Sequence, residues 1–356
     1  PYASPAAYYS PTAGRMESIE VRKGSTQIKH GPFTTGGSLN YISTPIPSSK
    51  LNSVSLDIGS FGKTLMQVRS GDVLGNFAYL IELYSDKTDG FKELDGGGDT
   101  GYGKTDFMTK LRYSFSESHA LEFKYSMTDE LSDETYLGLT DADFSENPLR
   151  RYRATALDEM DADHSQIMLS YAAKLNDNMS LAVVGYSNDF ARNWYKLNKV
   201  NGMSLSSITK PTADGWNEFY LLMNAENSAD DAYRIKANNR EYYSSGIQAV
   251  FNVLAGDHDI QAGLRIHSDE MDRFQWEDRY GMQSGQLVMT TQATKGSDSN
   301  RIDSAEATAL FVEDRFTTGA MTITAGARYE EITVKRDDWG KTDPDRSETP
   351  SKREHT

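Results

Sequence analysis

Residues 16–42 read MESIEVRKGSTQIKHGPFTTGGSLNYI and stand immediately before a long series of alternating, aromatic-rich segments. Within this stretch, Ile19 and Val21 alternate with charged residues before Gly24, and a second strand-like run spans 39–42. Glycines permit a positive φ or a close approach of two backbones, and three of them precede the second run, namely Gly31, Gly36 and Gly37. The stretch therefore predicts a compact strand, turn and strand.

From Leu51 onward the hydrophobic residues recur with a period of two, which is the spacing of a β-strand. In 77–83 the odd-numbered residues are all apolar, whereas the other face includes Glu82. Charged residues recur on the second face of later segments, for example Lys110, Arg112, Glu122, Lys124, Arg265 and Arg328. Because a soluble β-sandwich needs both inner faces apolar, the pattern predicts a large antiparallel barrel with a polar interior.

The connections between the predicted strands alternate in length. The short ones are 72–76, 116–119, 175–178, 255–258 and 317–320, and the long ones are 85–104, 129–162, 189–240 and 271–304. In bacterial outer-membrane barrels short turns face the periplasm and long loops face outward, whereas a soluble or surface-exposed adhesin needs no such alternation. We predict about eleven strands, the last near 320–335, followed by a charged loop over 340–356.

The composition fits this interpretation. Hydrophobic residues make up 37% of the 356 residues, and the mean hydropathy is -0.62. Both values are low for a helical membrane protein but ordinary for a barrel, because only alternate residues of each strand face lipid. The chain contains no cysteine, which excludes disulfides and thiolate metal sites. Its net charge of -15 argues against a nucleic-acid partner, since phosphate binding needs a basic face.

Three landmarks in the opening stretch, ESIEVRKG, HGP and TGGSLNYIS, together resemble the last third of the plug domain of TonB-dependent receptors. The resemblance implies a transmembrane antiparallel β-barrel of about 22 strands in the bacterial outer membrane. Residues 1–48 would be the C-terminal part of the plug, and residues 49–356 the N-terminal half of the barrel. The contact site for the TonB energy-transducing complex and most of the plug would then lie upstream of Pro1, so we expect a fragment.

Two loop stretches, YLGLTDADFSENPLRRYR and NDFARNWYKL, are similar to segments of ferric dicitrate receptors, as are ANNREYYSSGI (237–247) and DRFQWED (272–278). The resemblance implies energy-coupled import of an iron chelate. An anionic citrate complex needs fixed guanidinium groups, because Arg donates to carboxylates through a planar fork. The candidate ligand-binding residues are Arg192, Arg150, Arg151 and Trp194.

Other ligands remain open from the residues alone. The arginines could instead pair with neighbouring carboxylates such as Asp141, Asp143, Asp158 or Asp161 at a solvated surface. Another siderophore, cobalamin or a glycan are alternative cargoes for the same class of receptor. A passive porin is a further alternative, although it would lack the plug-like stretch.

In the plug strand, Arg22 and Glu20 are expected, by the same resemblance, to contact charges on the barrel interior. A buried ion costs several kcal/mol unless it is paired, so an enclosed Arg22 would need a partner such as Glu82 or Glu122. Exposure of Arg22 to water in the channel is the alternative.

No motif for catalysis occurs in the sequence, and we expect no enzyme activity and no resident cofactor. The Asp-rich piece around Asp95 and Asp99 superficially suggests calcium but lacks the full twelve-residue ligand pattern. The expected partners are an iron-chelate ligand, the TonB complex and outer-membrane lipid, and iron would arrive as transported cargo.

Overall fold

The computed structural model describes residues 2–3, 9–23, 28–31, 34, 36–208, 211–212, 215–216 and 218–356, with the backbone alone at 211–212, 215–216, 218–219 and 221. The first two strands are β1 (Met16–Arg22) and β2 (Ser38–Ser43), which pair antiparallel in a sheet of their own. The predicted strand pair in 16–42 is thereby confirmed. The predicted turn at Gly24 lies outside the described residues.

The remaining strands, in chain order, are β3 (Leu51–Ile58), β4 (Thr64–Leu74), β5 (Phe77–Thr88), β6 (Glu93–Leu94), β7 (Tyr102–Ser116), β8 (His119–Ser132), β9 (Arg150–Arg151), β10 (Glu159–Asn176), β11 (Met179–Val200), β12 (Met203–Ser204), β13 (Pro211–Thr212), β14 (Gly215–Trp216), β15 (Tyr233–Ala255), β16 (His258–Gln283), β17 (Gln286–Thr291), β18 (Ser299–Thr318), β19 (Met321–Asp338) and β20 (Ser351–His355). The helices are short. They are α1 (Asp141–Glu146), α2 (Leu205–Ile208) and four 3-10 turns at Ala13–Arg15, Ile28–His30, Arg153–Thr155 and Glu218–Asn224. No helix among the described residues is long and apolar enough to cross a membrane.

One large antiparallel sheet dominates the fold. Its long strands pair in the order β3, β4, β5, β7, β8, β10, β11, β15, β16, β18 and β19, and β20 adds to the edge of β19. The prediction of eleven long strands is confirmed. The prediction of a loop throughout 340–356 is wrong, because Ser351–His355 pairs with Val334–Asp338 and satisfies backbone groups on the edge of β19. We call this sheet the wall and residues 1–48 the plug segment.

Two-residue turns close the wall at one end, at 75–76, 117–118, 177–178, 256–257 and 319–320. All five predicted short turns are therefore confirmed, and the glycine in three of them has the positive φ that such a turn requires (Gly75, Gly256 and Gly319). The predicted long loops are too long. β11 continues to Val200 and β16 to Gln283, because neighbouring strands supply ladder partners well beyond the segment where hydrophobic residues alternate.

The two faces of the wall differ as predicted. On β5, Leu80 and Glu82 are fully buried, whereas Ile81 and Leu83 are 43% and 44% exposed. The face with Leu80 and Glu82 lies toward the plug segment, since Gln67 bonds both Glu82 and the carbonyl of Gly14. We call it the inner face, and the opposite one the outer face. β11, β15 and β16 have 22, 23 and 26 residues, which is about twice the 9 to 11 that a tilted strand needs to cross a membrane.

An apolar cluster covers the far ends of β11, β15 and β16. It joins strand residues to both loops 133–158 and 201–232, and its buried members include Leu137, Tyr152, Leu197, Leu205, Ile208, Met223, Tyr233, Ile235, Tyr280 and Met282. Leu197 alternates with Lys196 along β11, so the cluster packs on the outer face of the strand ends. The two loops form one packed layer, which we call the cap.

A labelling experiment tests the orientation of the wall. Glu146 in the cap and Glu117 in a two-residue turn are both exposed, and the chain has no natural cysteine. In intact cells, a membrane-impermeant maleimide should label Glu146→Cys and leave Glu117→Cys unmodified until the outer membrane is permeabilised. Labelling of the turn from outside would reverse the assigned orientation.

A pair of neighbouring substitutions tests the two faces. Ile167 is 50% exposed on the outer face of β10, and Gln166 beside it bonds Asn188 on the inner face. Ile167→Arg should destabilise the assembled barrel by about 2 to 4 kcal/mol, because a charge at mid-membrane loses its hydration. Gln166→Arg should cost about 0.5 kcal/mol. Equal losses in a urea titration of the folded barrel in lipid vesicles would show that the faces are misassigned.

Candidate functional site

The candidate site lies where the plug segment meets the inner face of β10 and β11. The ring of Tyr9 stacks on His164 at a centroid distance of 4.0 Å and lies 5.2 Å from Phe190. Phe190 in turn stacks on Tyr242 of β15 at 5.7 Å. These contacts form a layer of rings between the plug segment and the wall. We call Tyr9, His164, Phe190 and Tyr242 the aromatic layer.

A cavity of about 500 Å³ opens beside this layer, and we call it the upper cavity. Its lining is aromatic and acidic, namely Tyr9, Ser10, Glu130, Glu134, Tyr136, Met160, Ala162, Phe190 and Trp194. Lys104 neutralises Glu130 through an ion pair of 2.8 Å. A cavity of this size suits a small chelate, because ligand pockets commonly enclose about 300 to 1,000 Å³.

The side chain of Lys196 fixes two of the lining rings. Its Nζ lies 3.2 Å from the ring centroid of Tyr136 and 3.9 Å from that of Trp194. The two rings meet edge to face at 5.4 Å, and the indole N–H of Trp194 donates to the carbonyl of Glu134 at 3.1 Å. A desolvated cation over two aromatic faces is worth up to about 2 kcal/mol or more. The upper cavity is therefore preorganised on this side.

Arg192 and Trp194, both predicted as ligand contacts, share the inner face of β11, two residues apart. Arg192 is only 2% exposed, and its Nη1 donates to the carbonyl of Asn238 at 3.1 Å. It lies on a strand, whereas the predicted loop began at 189. Its role in binding a ligand stays a prediction.

Arg150 and Arg151 lie elsewhere, in β9, which pairs with β6. Arg150 forms ion pairs with Asp95 at 2.8 Å and Asp143 at 2.7 Å, so it ties two loops together. Burial opposes ionisation of Asp143, but hydrogen bonds from Thr140, Tyr152 and Tyr220 and the charge of Arg150 together lower its pKa. Arg151 Nε donates to the hydroxyl of Thr135 at 3.2 Å. A ligand that bound Arg150 or Arg151 would have to displace these partners. Asp95, from the Asp-rich piece considered for calcium, is already engaged with Arg150.

The predicted plug contacts also have partners. Arg22 Nη2 donates to Glu20 Oε2 at 2.8 Å within β1. Two other plug residues make ion pairs with the wall, Arg15 with Asp106 at 3.4 Å and Lys29 with Glu313 at 3.6 Å. The role of Arg22 and Glu20 in contacting the barrel therefore stays a prediction.

The strand register reveals a feature that the sequence did not. Arg192 lies directly opposite Arg240 of β15, Arg240 lies opposite Arg273 of β16, and Arg273 lies opposite Arg301 of β18. All four are on the inner face, as Arg240 Nη1 reaches the hydroxyl of Tyr242 in the aromatic layer at 3.2 Å. We call this set the arginine row. With strands about 4.8 Å apart it is about 14 Å long.

Some charges along the arginine row are balanced. Arg301 Nε pairs with Asp303 at 3.0 Å, whereas Arg273 Nε donates to the neutral amide of Gln275 at 3.1 Å. Like charges directly opposite each other destabilise a sheet. Arg240 and Arg273 fall in the segments 237–247 and 272–278 already singled out, but only the pairing of distant strands could place them beside Arg192.

Asp158, the last residue of cap loop 133–158, fixes the backbone of Tyr136 beside the upper cavity. It lies just before β10, and its carboxylate accepts hydrogen bonds from the backbone N–H of Leu197 at 2.6 Å and of Tyr136 at 3.2 Å. Burial raises the pKa of Asp158 to about 7, although these two bonds and the charge of Lys196 act in the opposite direction.

This raised pKa predicts a pH dependence. Because the folded pKa exceeds the ordinary value of 3.8, the contribution of Asp158 to stability is fully present below about pH 4 and is lost as pH rises through about 7. Hydrogen-exchange protection of the Tyr136 and Leu197 amides, corrected for intrinsic rates, should fall between about pH 4 and pH 7. Asp158→Asn should abolish that dependence, whereas Asp177→Asn in an exposed turn should preserve it. Protection that increases with pH would contradict the assignment.

Comparison with known proteins gives one family match and several structural matches. A family model described as TonB dependent receptor-like, beta-barrel, matches residues 111–354. The fold is similar to that of the ferric citrate transporter FecA in its unliganded form, at 17% identity and a TM-score of 0.67, over 96% of this chain and 45% of that one. It is also similar to the ferric-catecholate import receptor Fiu from E. coli K12 in its open form (14%, TM-score 0.69, 96% and 55%) and to the siderophore receptor PiuA from Acinetobacter baumannii (12%, 0.67, 96% and 50%). The chain spans about half the length of these proteins.

Proposed function

The chain belongs to the TonB-dependent receptor-like β-barrel family, and from this premise we propose that it is part of an outer-membrane receptor for energy-coupled import of a ferric chelate, most like ferric dicitrate. Members of this family are receptors and transporters and not enzymes, so the proposal involves no covalent chemistry and no resident cofactor. Iron enters as cargo inside the chelate. The TonB complex is the proposed energy source.

The arginine row is the observation that carries this proposal. Four guanidinium groups lie directly opposite one another in adjacent strands; Asp303 pairs with Arg301, and a polycarboxylate lying across the row would offset the repulsion that remains. Each guanidinium can donate two parallel hydrogen bonds to a carboxylate, which makes such contacts strong and directional. A length of about 14 Å allows several carboxylates of one chelate to be bound at once.

The aromatic layer and the upper cavity support the same proposal. Phe190 and Trp194 share the inner face of β11 with Arg192, so flat apolar rings lie beside the charged groups. A metal chelate presents an apolar ligand skeleton as well as charged oxygens, and this combination of surfaces suits both. Within the site, we propose Arg192 and Trp194 as ligand contacts, joined by Arg240 and Arg273.

Arg150 and Arg151 keep a lesser role in the proposal. Since Arg150 already bridges Asp95 and Asp143, its expected contribution is to hold the loops over the site. Contact with the chelate would require exchange of those partners.

The alternatives differ in what they need from the site. A neutral siderophore, cobalamin or a glycan could accept hydrogen bonds from the arginine row but would not offset its charge. A passive porin would need an open lumen, whereas Tyr9, Arg15 and Lys29 of the plug segment contact the inner face of the wall.

Binding of ferric dicitrate to the full-length receptor tests the proposal. In isothermal titration calorimetry, Arg273→Gln should weaken binding by roughly 1 to 3 kcal/mol, the cost of losing a charged hydrogen-bond partner. Arg273→Lys should restore part of the loss, because an ammonium group cannot reproduce the fork. Affinity should also fall as salt is added.

Arg315→Gln is the matched control. Arg315 lies near the opposite end of β18, is well exposed and pairs with Asp259, so its loss should leave affinity unchanged. A receptor that ignores ferric dicitrate and binds a neutral siderophore would overturn the proposed ligand while leaving the family assignment intact.

A further inference from the structure

A second cavity, of about 350 Å³, lies between the plug segment and the wall, and we call it the lower cavity. It borders the aromatic layer, because Tyr9, Phe190 and Tyr242 line it. Among the described residues its lining includes two cations, Arg15 and Lys124, and no Asp or Glu. We propose that the lower cavity is a binding site for a small oxyanion, a free carboxylate or phosphate, separate from the arginine row.

Arg15 provides the first argument. This plug residue is 2% exposed, and its Nε has no hydrogen-bond partner among the described residues. The nearest carboxylate oxygen, Asp106 Oδ1, is 3.4 Å from that Nε, and Nη1 reaches only the sulfur of Met108 at 3.5 Å. A guanidinium has five N–H donors, and burying it without strong acceptors is costly.

The carboxylate of Asp106 is engaged by other donors. The hydroxyls of Thr12 and Thr128 each donate to it at 2.6 Å, one to each oxygen. Asp106 therefore divides its acceptor oxygens between two hydroxyls and Arg15, while Arg15 remains part of the cavity lining. An oxyanion in the lower cavity would supply the missing acceptor.

Lys124 provides the second argument. It lies directly opposite Lys110 across β7 and β8, an arrangement of like charges that destabilises a sheet. Lys110 Nζ donates to the backbone carbonyl of Ser43 at 3.2 Å, which is a neutral acceptor. By contrast, Lys104, the other inner-face lysine of β7, has a carboxylate partner in Glu130 at 2.8 Å. Glu122 and Glu82 act on Lys110 from a greater distance, and a bound anion would supply the direct anionic partner that Lys124 and Lys110 lack among the described residues.

Neutral hydrogen-bonding groups complete the lining and set the chemical class. Ser126, Gln166, Asn188 and Ser244 line the cavity, and Asn188 Nδ2 donates to the hydroxyl of Ser244 at 3.1 Å. Hydroxyl and amide groups beside two cations match the acceptor oxygens of a carboxylate or phosphate. They offer no ligand set for a bare cation.

Lysine footprinting on the full-length receptor in detergent tests the site without any substitution. Reductive methylation would be followed residue by residue by mass spectrometry, with iron-free citrate or inorganic phosphate as the probe. At a saturating concentration, at least one probe should slow modification of Lys124 by about fivefold or more. Lys104 in the same sample serves as the control and should react at an unchanged rate. Protection by citrate alone would identify a carboxylate site, and protection by phosphate a phosphate site.

Two variants test whether the protection of Lys124 arises from binding in the lower cavity. Arg15→Gln should abolish protection of Lys124; if that variant fails to assemble, Asn188→Leu serves the same purpose from the wall. Arg273→Gln should leave protection intact, which separates this site from the proposed chelate site. The inference is overturned if neither probe protects Lys124, if Lys104 is protected equally, or if Arg273→Gln removes the effect. A receptor that fails to bind ferric dicitrate and still shows protection of Lys124 would leave this inference standing.

Discussion

Hydrocarbon offers no hydrogen-bond partners, so every backbone N–H and C=O of a membrane-crossing strand must pair with a neighbouring strand. Within the wall, an antiparallel ladder joins the neighbouring long strands from β3 to β19. The ladder then fixes everything placed on it, because adjacent residues point to opposite faces and a slip of one residue would exchange the faces. Lipid-facing Ile167 and cavity-lining Gln166 are neighbours in the chain for this reason.

The same ladder organises the interior. The plug segment meets the wall at an aromatic layer, with the upper cavity on one side and the lower cavity on the other. Tyr9 and Phe190 line both cavities, so the layer separates them by the thickness of packed rings. On the outer side, the cap joins two loops through one apolar cluster, which favours movement of these loops together over separate closure of either one.

The sequence predicted those parts of the fold that depend on local signals. The strand pair in 16–42, the two faces of β5 and the five short turns each follow from residues close together in the chain. The full length of β11 and β16 could not be predicted from nearby residues. Beyond the membrane neither face must be apolar, so the alternation of apolar and polar residues fades there. The strand at Ser351–His355 was missed for a related reason, since its charged sequence gives no sign of the open edge that it covers.

The candidate site was predicted less completely. Arg192 and Trp194 lie two residues apart on one strand rather than in the predicted loop, and their binding role stays a prediction. Asp143 had been named as a possible partner of Arg150 and is confirmed as one, whereas Asp95 could not be assigned because it lies in a different loop. The arginine row could not be predicted from the sequence, because its members are separated by about thirty to fifty residues and meet only through strand register.

The arginine row lowers the stability of the sheet that carries it. Repulsion between the directly opposed Arg240 and Arg273 destabilises the sheet relative to a neutral pair at the same positions. Substitutions that stabilise the barrel are therefore expected first at these two positions, since removing either charge relieves repulsion with two neighbours.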